Sequence, residues 1–173
     1  NMVRASRDGL LLANPNKRPF VLSRSNFLGG HRYAATWTGD NKSSWEQFEA
    51  SVPMSLTLGL SGQPFNGPDI GGFVGSTNAH LLAHWTALGV YYPFVRNHTT
   101  ENSVAQEPWA FDKQTLDICR TAINRRYRLM PYIYTLFEEA SVNGMPVMRP
   151  LFMLEAKNPA FRTEEKAFML GND

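Results

Sequence analysis

The sequence predicts an α/β fold built on parallel strands, of the barrel or open-sheet kind, on three observations. Four short segments begin apolar and finish polar, as buried strands do when functional loops follow their carboxyl ends. Helical patterns or long connections separate those segments. The composition suits a packed core, with 43% of the 173 residues hydrophobic, 12% aromatic and only 18% charged. A complete (β/α)8 barrel needs about 200 residues or more, so four strands amount to about half of one. The sparse charge fits an apolar-walled cleft or a surface made to be covered by further protein.

The elements follow in order. Residues 2–13 (MVRASRDGLLLA) read as a short amphipathic helix, and ANPNKRP after it as a turn. FVLSRS (20–25) reads as a buried strand, and YAATWTGDN (33–41) as a second that runs into Thr38, Gly39, Asp40 and Asn41. Residues 44–60 read as a helix that Pro53 should kink or break. PFNGPDIGGF (64–73) gives a short strand ending at Asp69. Ser76 or Thr77 should cap the next helix, which runs through Leu88 and stops at Gly89. VYYPFVRNH (90–98) is a fourth strand with a polar end. The clearest helix spans about Lys113 to Ala140, with Leu116, Cys119, Ile123, Tyr127, Met130 and Tyr134 recurring at steps of three and four. PVMRPLFML (146–154) reads as a strand of whatever follows.

Several function classes lose ground at once. Seventeen basic and 15 acidic residues leave a net charge of +2, which argues against a nucleic-acid or anionic-membrane partner. A lone Cys119 forms no intrachain disulfide and spells no metal cluster; its setting predicts a small buried side chain. No apolar run reaches the 18 residues of a membrane span, and no signal peptide is visible. GPDIGGFVG lacks the GxGxxG spacing of a dinucleotide loop. A helix already under way at Asn1 and the close at FMLGND read as cut ends, with a true N-terminus upstream and a cytoplasmic setting favoured.

The polar groups at the strand ends are Arg24, then Trp37 with Asp40, then Asp69, then Arg96, Asn97 and His98. In a barrel they converge on one pocket. Aromatic faces cover the C–H patches of a pyranose, while carboxylate, guanidinium and imidazole bond its hydroxyls. Glycoside hydrolysis needs one carboxylic acid and one carboxylate, and neither a metal nor a cofactor; Asp40 and Asp69 are the first pair to consider. Each residue alone has an ordinary structural reading. TGDN and GPDIGG are turn sequences, Arg24 could be a buried partner of either aspartate, and His98 a loop histidine. Asn41 and Asn97 open N-glycosylation patterns, but a glycan on either would block the pocket. Arg120, Arg125, Arg126 and Arg128 spread around their helix, which predicts ion pairing and stem packing rather than phosphate binding.

The runs RPFVLSRSNFLGGHRYAATWTGDN, SSWEQFEASVPMSLTLGLSGQPFNGPDIGGF and YYPFVRNH closely resemble family 31 glycoside hydrolases, the α-glucosidase and α-xylosidase group. The resemblance spans nearly the whole chain. It implies the second half of a (β/α)8 barrel, about strands five to eight, over residues 1–144. Residues 145–173 would then be the barrel exit and the start of a C-terminal β-sandwich. The family cleaves terminal α-linked sugars with retention, through a covalent glycosyl-enzyme. By resemblance, Asp40 of WTGD is the general acid/base and Trp37 a wall of the sugar subsite. Arg24 of SRS bonds sugar hydroxyls beside the acid/base. Asp69 of GPDIGGF becomes a substrate-binding residue rather than the second catalyst, Phe73 an aromatic lining residue, and His98 of RNH a hydroxyl ligand.

The family's nucleophile is an aspartate in a tryptophan-led acidic segment at the end of the fourth barrel strand, and no such segment occurs in these residues. The resemblance therefore implies part of a retaining α-glycosidase acting on terminal α-linked glucose, the isolated chain being inactive and prone to self-association. Its partner is an α-linked oligosaccharide or glycoside. The alternatives are an α-xylosidase or other family 31 activity, or a non-catalytic carbohydrate-binding or structural fragment. Asp40 argues against an eliminating lyase.

Overall fold

The computed structural model describes residues 1–173. Its helices are α1 (Met2–Ala13), α2 (Trp45–Leu60), α3 (Ala79–Gly89), α4 (Lys113–Asn143) and the short α5 (Pro159–Arg162). Its strands are β1 (Asp69–Ile70), β2 (Arg96–Asn97), β3 (Met148–Pro150) and β4 (Phe168–Leu170). The helices start where a side chain supplies the missing acceptor for an orphan N–H. Ser44 accepts from Gln47, Asn78 from Leu81 at 2.9 Å and Asp112 from Thr115 at 2.7 Å. Asn78, not Ser76 or Thr77, is thus the cap of α3. Pro53 neither ends nor divides α2, which continues to Leu60.

The expected strands are much shorter than the sequence implies, but the parallel wall is there. Ala35 N–H donates to Val21 C=O at 2.9 Å and Ser23 N–H to Ala35 C=O at 3.0 Å. Thr36 and Thr38 donate to Phe65 and Gly67, Phe94 donates to Asn66, and β1 pairs in parallel with β2. Four extended segments therefore lie side by side in sequence order, with α2 and α3 bridging consecutive pairs. Proline accounts for the shortness. Pro64, Pro68 and Pro93 bring no N–H to a parallel ladder, so pairing comes in brief stretches. FVLSRS reduces to a single bridge between Leu22 and Ala35, with Phe20 exposed rather than buried. At the fourth segment Tyr91 and Tyr92 donate back to Leu88 and Gly89, prolonging the helix end into a turn before β2 begins.

The core lies between the wall and its helices. Val52 and Leu56 of α2, Leu81 and Trp85 of α3, Ile70, Tyr92 and Met148 form one buried cluster. Removing each large side chain of this kind from water contributes about 1.5–3 kcal/mol. Tyr92 and Ser51 share a 2.6 Å hydroxyl hydrogen bond inside it, and burial raises the phenol above its usual range. Cys119 is fully buried, as its setting implied, and burial pushes its thiol up.

Past Cys119, which is buried as expected, the long helix packs through a different stripe from the expected one. Ile123, Tyr127, Met130 and Tyr134 are exposed, while Thr115, Cys119, Ala122, Ile133 and Leu136 are buried, with Leu129 packed beside them. Arg126 sits in the middle of that buried stripe, donating to the carbonyls of Val90, Tyr92 and Pro93 at 2.6–2.9 Å. The other arginines behave as their spacing predicts, Arg120 pairing with Asp117 and Arg125 reaching the Tyr91 hydroxyl.

Beyond Gly144, the left-handed cap of α4, the chain direction changes. Strands β3 and β4 pair antiparallel, with Met148 opposite Leu170. Arg149, 2% exposed, ties this pair to α4 by donating to Glu139 at 2.7 Å, and Tyr132 donates to Leu170 C=O at 2.7 Å. No helix is long and apolar enough to cross a membrane.

Candidate active site

Two loops at the carboxyl ends of the wall are laced to each other by their backbones. Phe73 and Val74 N–H both donate to Asn41 C=O, at 2.7 and 3.1 Å, and Ser43 N–H donates to Val74 C=O at 2.9 Å. Gly72 N–H closes the turn onto Asp69 C=O at 3.1 Å. The segment that carries Asp40 and the one that carries Asp69 are therefore held as a unit, which is what a precisely spaced set of side chains requires.

Asp40 lies at the open side. Arg24 Nη1 donates to its Oδ2 at 2.9 Å, and both side chains keep substantial contact with water. Arg24 and Trp37 also line two open cavities, of about 580 Å³ against α2 and about 790 Å³ against the start of α1. An exposed pair of this kind adds little to stability. Its consequence is positional, since it fixes which oxygen of Asp40 stays available.

Asp69 lies at the closed side, with its side chain 0% exposed. It is the register partner of Arg96 across β1 and β2, so the two side chains leave the same face of the wall. Arg96 Nε and Nη2 both donate to Asp69 Oδ1, at 2.9 and 2.5 Å, while Oδ2 is buried with no hydrogen-bond partner. Burial raises the Asp69 carboxyl above the ordinary range; Arg96 and then His98 act against that rise, and the charge of Asp40 adds to it. His98 and Asp40 are thus both within electrostatic reach of Asp69.

Aromatic rings complete the surface. The Arg96 guanidinium lies 5.0 Å from the centre of the Trp37 ring and 5.7 Å from that of Phe94. His98 stacks on Phe73 with ring centres 5.1 Å apart. The fold brings the six sequence-selected residues to neighbouring strand ends: Arg24 pairs with Asp40, the Asp40 and Asp69 loops are joined through Asn41 C=O, Asp69 and Trp37 share Arg96, and His98 stacks on Phe73. A carboxyl on the open side, a buried carboxylate with a free acceptor, an imidazole and two rings are a complement for a polyol with apolar C–H faces.

Sequence reasoning placed Arg96 at a strand end of the pocket without a partner, and offered Arg24 to either aspartate. The structure divides the arginines, one to each. The signal was present in RNH, where Arg96 stands two residues before His98 and so on the same strand face. Asn41 and Gln106, both buried against these loops, carried no periodic signal at all. A separate groove of about 650 Å³ along α4 offers no competing site, because its Asp117 is already paired with Lys113 and Arg120.

The glycosyl hydrolases family 31 TIM-barrel domain, as a sequence family, matches residues 1–136. The chain belongs to glycoside hydrolase family 31. Relatives agree along its length. It is 48% identical to a probable glucan 1,3-alpha-glucosidase of Arabidopsis thaliana over 169 residues, 97% of this chain and 18% of that protein. It is 45% identical to neutral alpha-glucosidase C of Mus musculus, again over 97% of this chain and 19% of that protein. A crystal structure of the family 31 alpha-glucosidase from Bacteroides thetaiotaomicron superposes with a TM-score of 0.96 at 56% identity, covering 99% of this chain and 29% of that one. The chain thus spans about a fifth of the length of these curated relatives, and what it holds is α/β structure from the family 31 TIM-barrel domain.

Proposed function

We propose that this chain carries the acid/base part of a retaining α-glucosidase, whose nucleophile belongs to a segment outside these 173 residues. Asp40, at an open strand end beside Arg24, would protonate the glycosidic oxygen while an aspartate from the other segment attacks the anomeric carbon. The aglycone then leaves. Asp40 next takes a proton from water, which attacks the glycosyl-enzyme and releases the sugar with retained configuration. A retaining pair stands about 5–5.5 Å apart, so the missing carboxylate belongs close to Asp40.

The remaining roles follow the donors and acceptors present. Asp69, its Oδ1 held by Arg96, would accept from a sugar hydroxyl through Oδ2 once that buried, unpaired oxygen is uncovered. His98 and Arg24 bond further hydroxyls, and Trp37 and Phe73 flank the ring. The observation that carries this reading is the placement of Asp40, Asp69 and His98 at three successive strand ends, with the Asp40 and Asp69 loops hydrogen-bonded to each other and β1 paired in parallel with β2. Glucose is favoured as glycone by the α-glucosidase names of the relatives.

The same reading assigns residues 1–144 to strands five to eight of the barrel and 145–173 to its exit and the start of a β-sandwich. The four hydrogen-bonded segments in sequence order support the first part, and the antiparallel β3–β4 pair the second. Exposed Phe20, Tyr127, Met130 and Tyr134 support self-association of the isolated chain. The experiment is direct. The full-length polypeptide should hydrolyse a nitrophenyl α-glucoside faster than the α-xyloside, and the 173-residue chain should hydrolyse neither. Turnover by the isolated chain that Asp40→Asn abolishes would overturn the assignment of the nucleophile elsewhere.

A further inference from the structure

We infer that Gln106 is a positioning residue of this site, a single buried amide that sets the spacing of the strand ends carrying Asp69 and His98. The inference rests on the glycosidase reading above. Gln106 comes from the loop between β2 and α4, touches neither carboxylate, and is only 4% exposed. Its Nε2, which carries two N–H groups, lies within donating distance of Ile70 C=O at 3.1 Å, next to Asp69, of His98 C=O at 3.0 Å and of Asn97 Oδ1 at 2.8 Å, so that two protons are shared among three acceptors. Asn97 Nδ2 answers by donating to Gln106 C=O at 2.7 Å. One side chain thereby joins the end of β1 to the end of β2. The same loop reaches Phe73, whose C=O accepts from Thr100 N–H at 3.1 Å and from Thr99 Oγ1 at 3.3 Å.

The chemistry of the bracket calls for an amide. Nε2 faces three oxygen acceptors, so the group there must donate. Oε1 has no partner and lies over Gly71, where a Cβ would come within 3.0 Å of it. A carboxylate at this position would set an anionic oxygen against those three acceptors, whereas a protonated carboxyl would still donate once. Leucine would donate nothing and release Asp69, Phe73 and His98 from a common frame.

The test uses the full-length polypeptide on a nitrophenyl α-glucoside across pH, with Asp40→Asn as the control for the site. Gln106→Leu should lower kcat/KM by about tenfold to a hundredfold, with KM rising, the size expected when substrate ligands move by a fraction of an ångström to an ångström. Gln106→Glu should approach wild type at acid pH and fall away as pH rises, on a limb absent from the wild-type profile. That limb also decides the matter if Gln106→Leu does not fold. Wild-type kcat/KM in Gln106→Leu, or a Gln106→Glu profile parallel to wild type, overturns the inference while leaving the glycosidase intact. A wild-type polypeptide without activity, or an active Asp40→Asn, overturns the glycosidase reading and the inference with it.

Discussion

Arg96 spends two N–H groups on one oxygen of Asp69 and leaves the other oxygen bare in a fully buried side chain. The pair holds an anion where water does not reach, so its halves are not interchangeable. Arg96→Met should destabilise the full-length polypeptide by roughly 3–5 kcal/mol, because it strands a buried carboxylate. Adding Asp69→Asn to that variant should recover part of the loss. Denaturation midpoints of the two single variants and the double variant measure the coupling, and an additive result would dissolve the pair as a structural unit.

Asp69 also sets a pH dependence. Its folded carboxyl titrates above the ordinary value of about 3.9, since burial outweighs Arg96. The folded state therefore binds the proton more tightly than the unfolded state. Stability from this group rises as pH falls through the raised folded value towards the unfolded one, and is level above that window. Wild type should gain stability relative to Asp69→Asn as the solution is acidified across this range. Denaturant midpoints of both proteins at a series of acid pH values check the sign; the opposite slope would mean that Arg96 outweighs burial at Asp69.

Gly67 should tolerate no side chain. A Cβ there would stand 2.0 Å from the carbonyl oxygen of Phe94 on the neighbouring segment, and backbone cannot step aside as a flexible side chain does. Gly67→Ala should part the third and fourth segments, breaking the Phe94 to Asn66 hydrogen bond beside the site. The expected loss exceeds about 3 kcal/mol, beyond the typical cost of a point substitution, and appears as a lowered melting temperature together with lost activity.

Arg126 holds three carbonyls of the turn that precedes β2. Arg126→Leu keeps the stem's packing but orphans those acceptors, and hydrogen bonds to charged groups each contribute about 1.5–3 kcal/mol. The substitution should cost roughly 3 kcal/mol, whereas Arg128→Leu, at a solvent-facing position, should stay within about 0.5 kcal/mol of wild type. Comparable losses in the two variants would remove the special place of Arg126.

Helices were legible because their signals are local. The periods over 44–60 and from Lys113 to about Ala140 place α2 and α4 to within three residues of their observed ends. The packing face of α4 was not, because its seam runs through Arg126 and an apolar-residue count prefers the exposed Ile123–Tyr127–Met130–Tyr134 row. Strand lengths were overread where Pro64, Pro68 and Pro93 remove donors that only a neighbour reveals to be needed. At the site, the turn residues around Asp40 and Asp69 stood out by themselves. The division of Arg24 to Asp40 and Arg96 to Asp69 did not, since it depends on register between segments 27 residues apart. Gln106 lay further from view, in a loop with no period to read.

The most direct test of Asp40 as the acid/base is the fate of the glycosyl-enzyme when its carboxyl is removed. In the full-length polypeptide, Asp40→Ala should be nearly inactive on α-glucosides with poor leaving groups and less impaired on activated ones, and added azide should restore turnover. Analysis of the product by nuclear magnetic resonance should find the α-glucosyl azide, formed by attack on an intermediate that the base can no longer hydrolyse. A β-glucosyl azide would make Asp40 the nucleophile instead of the acid/base, and undiminished hydrolysis without azide would remove it from the chemistry.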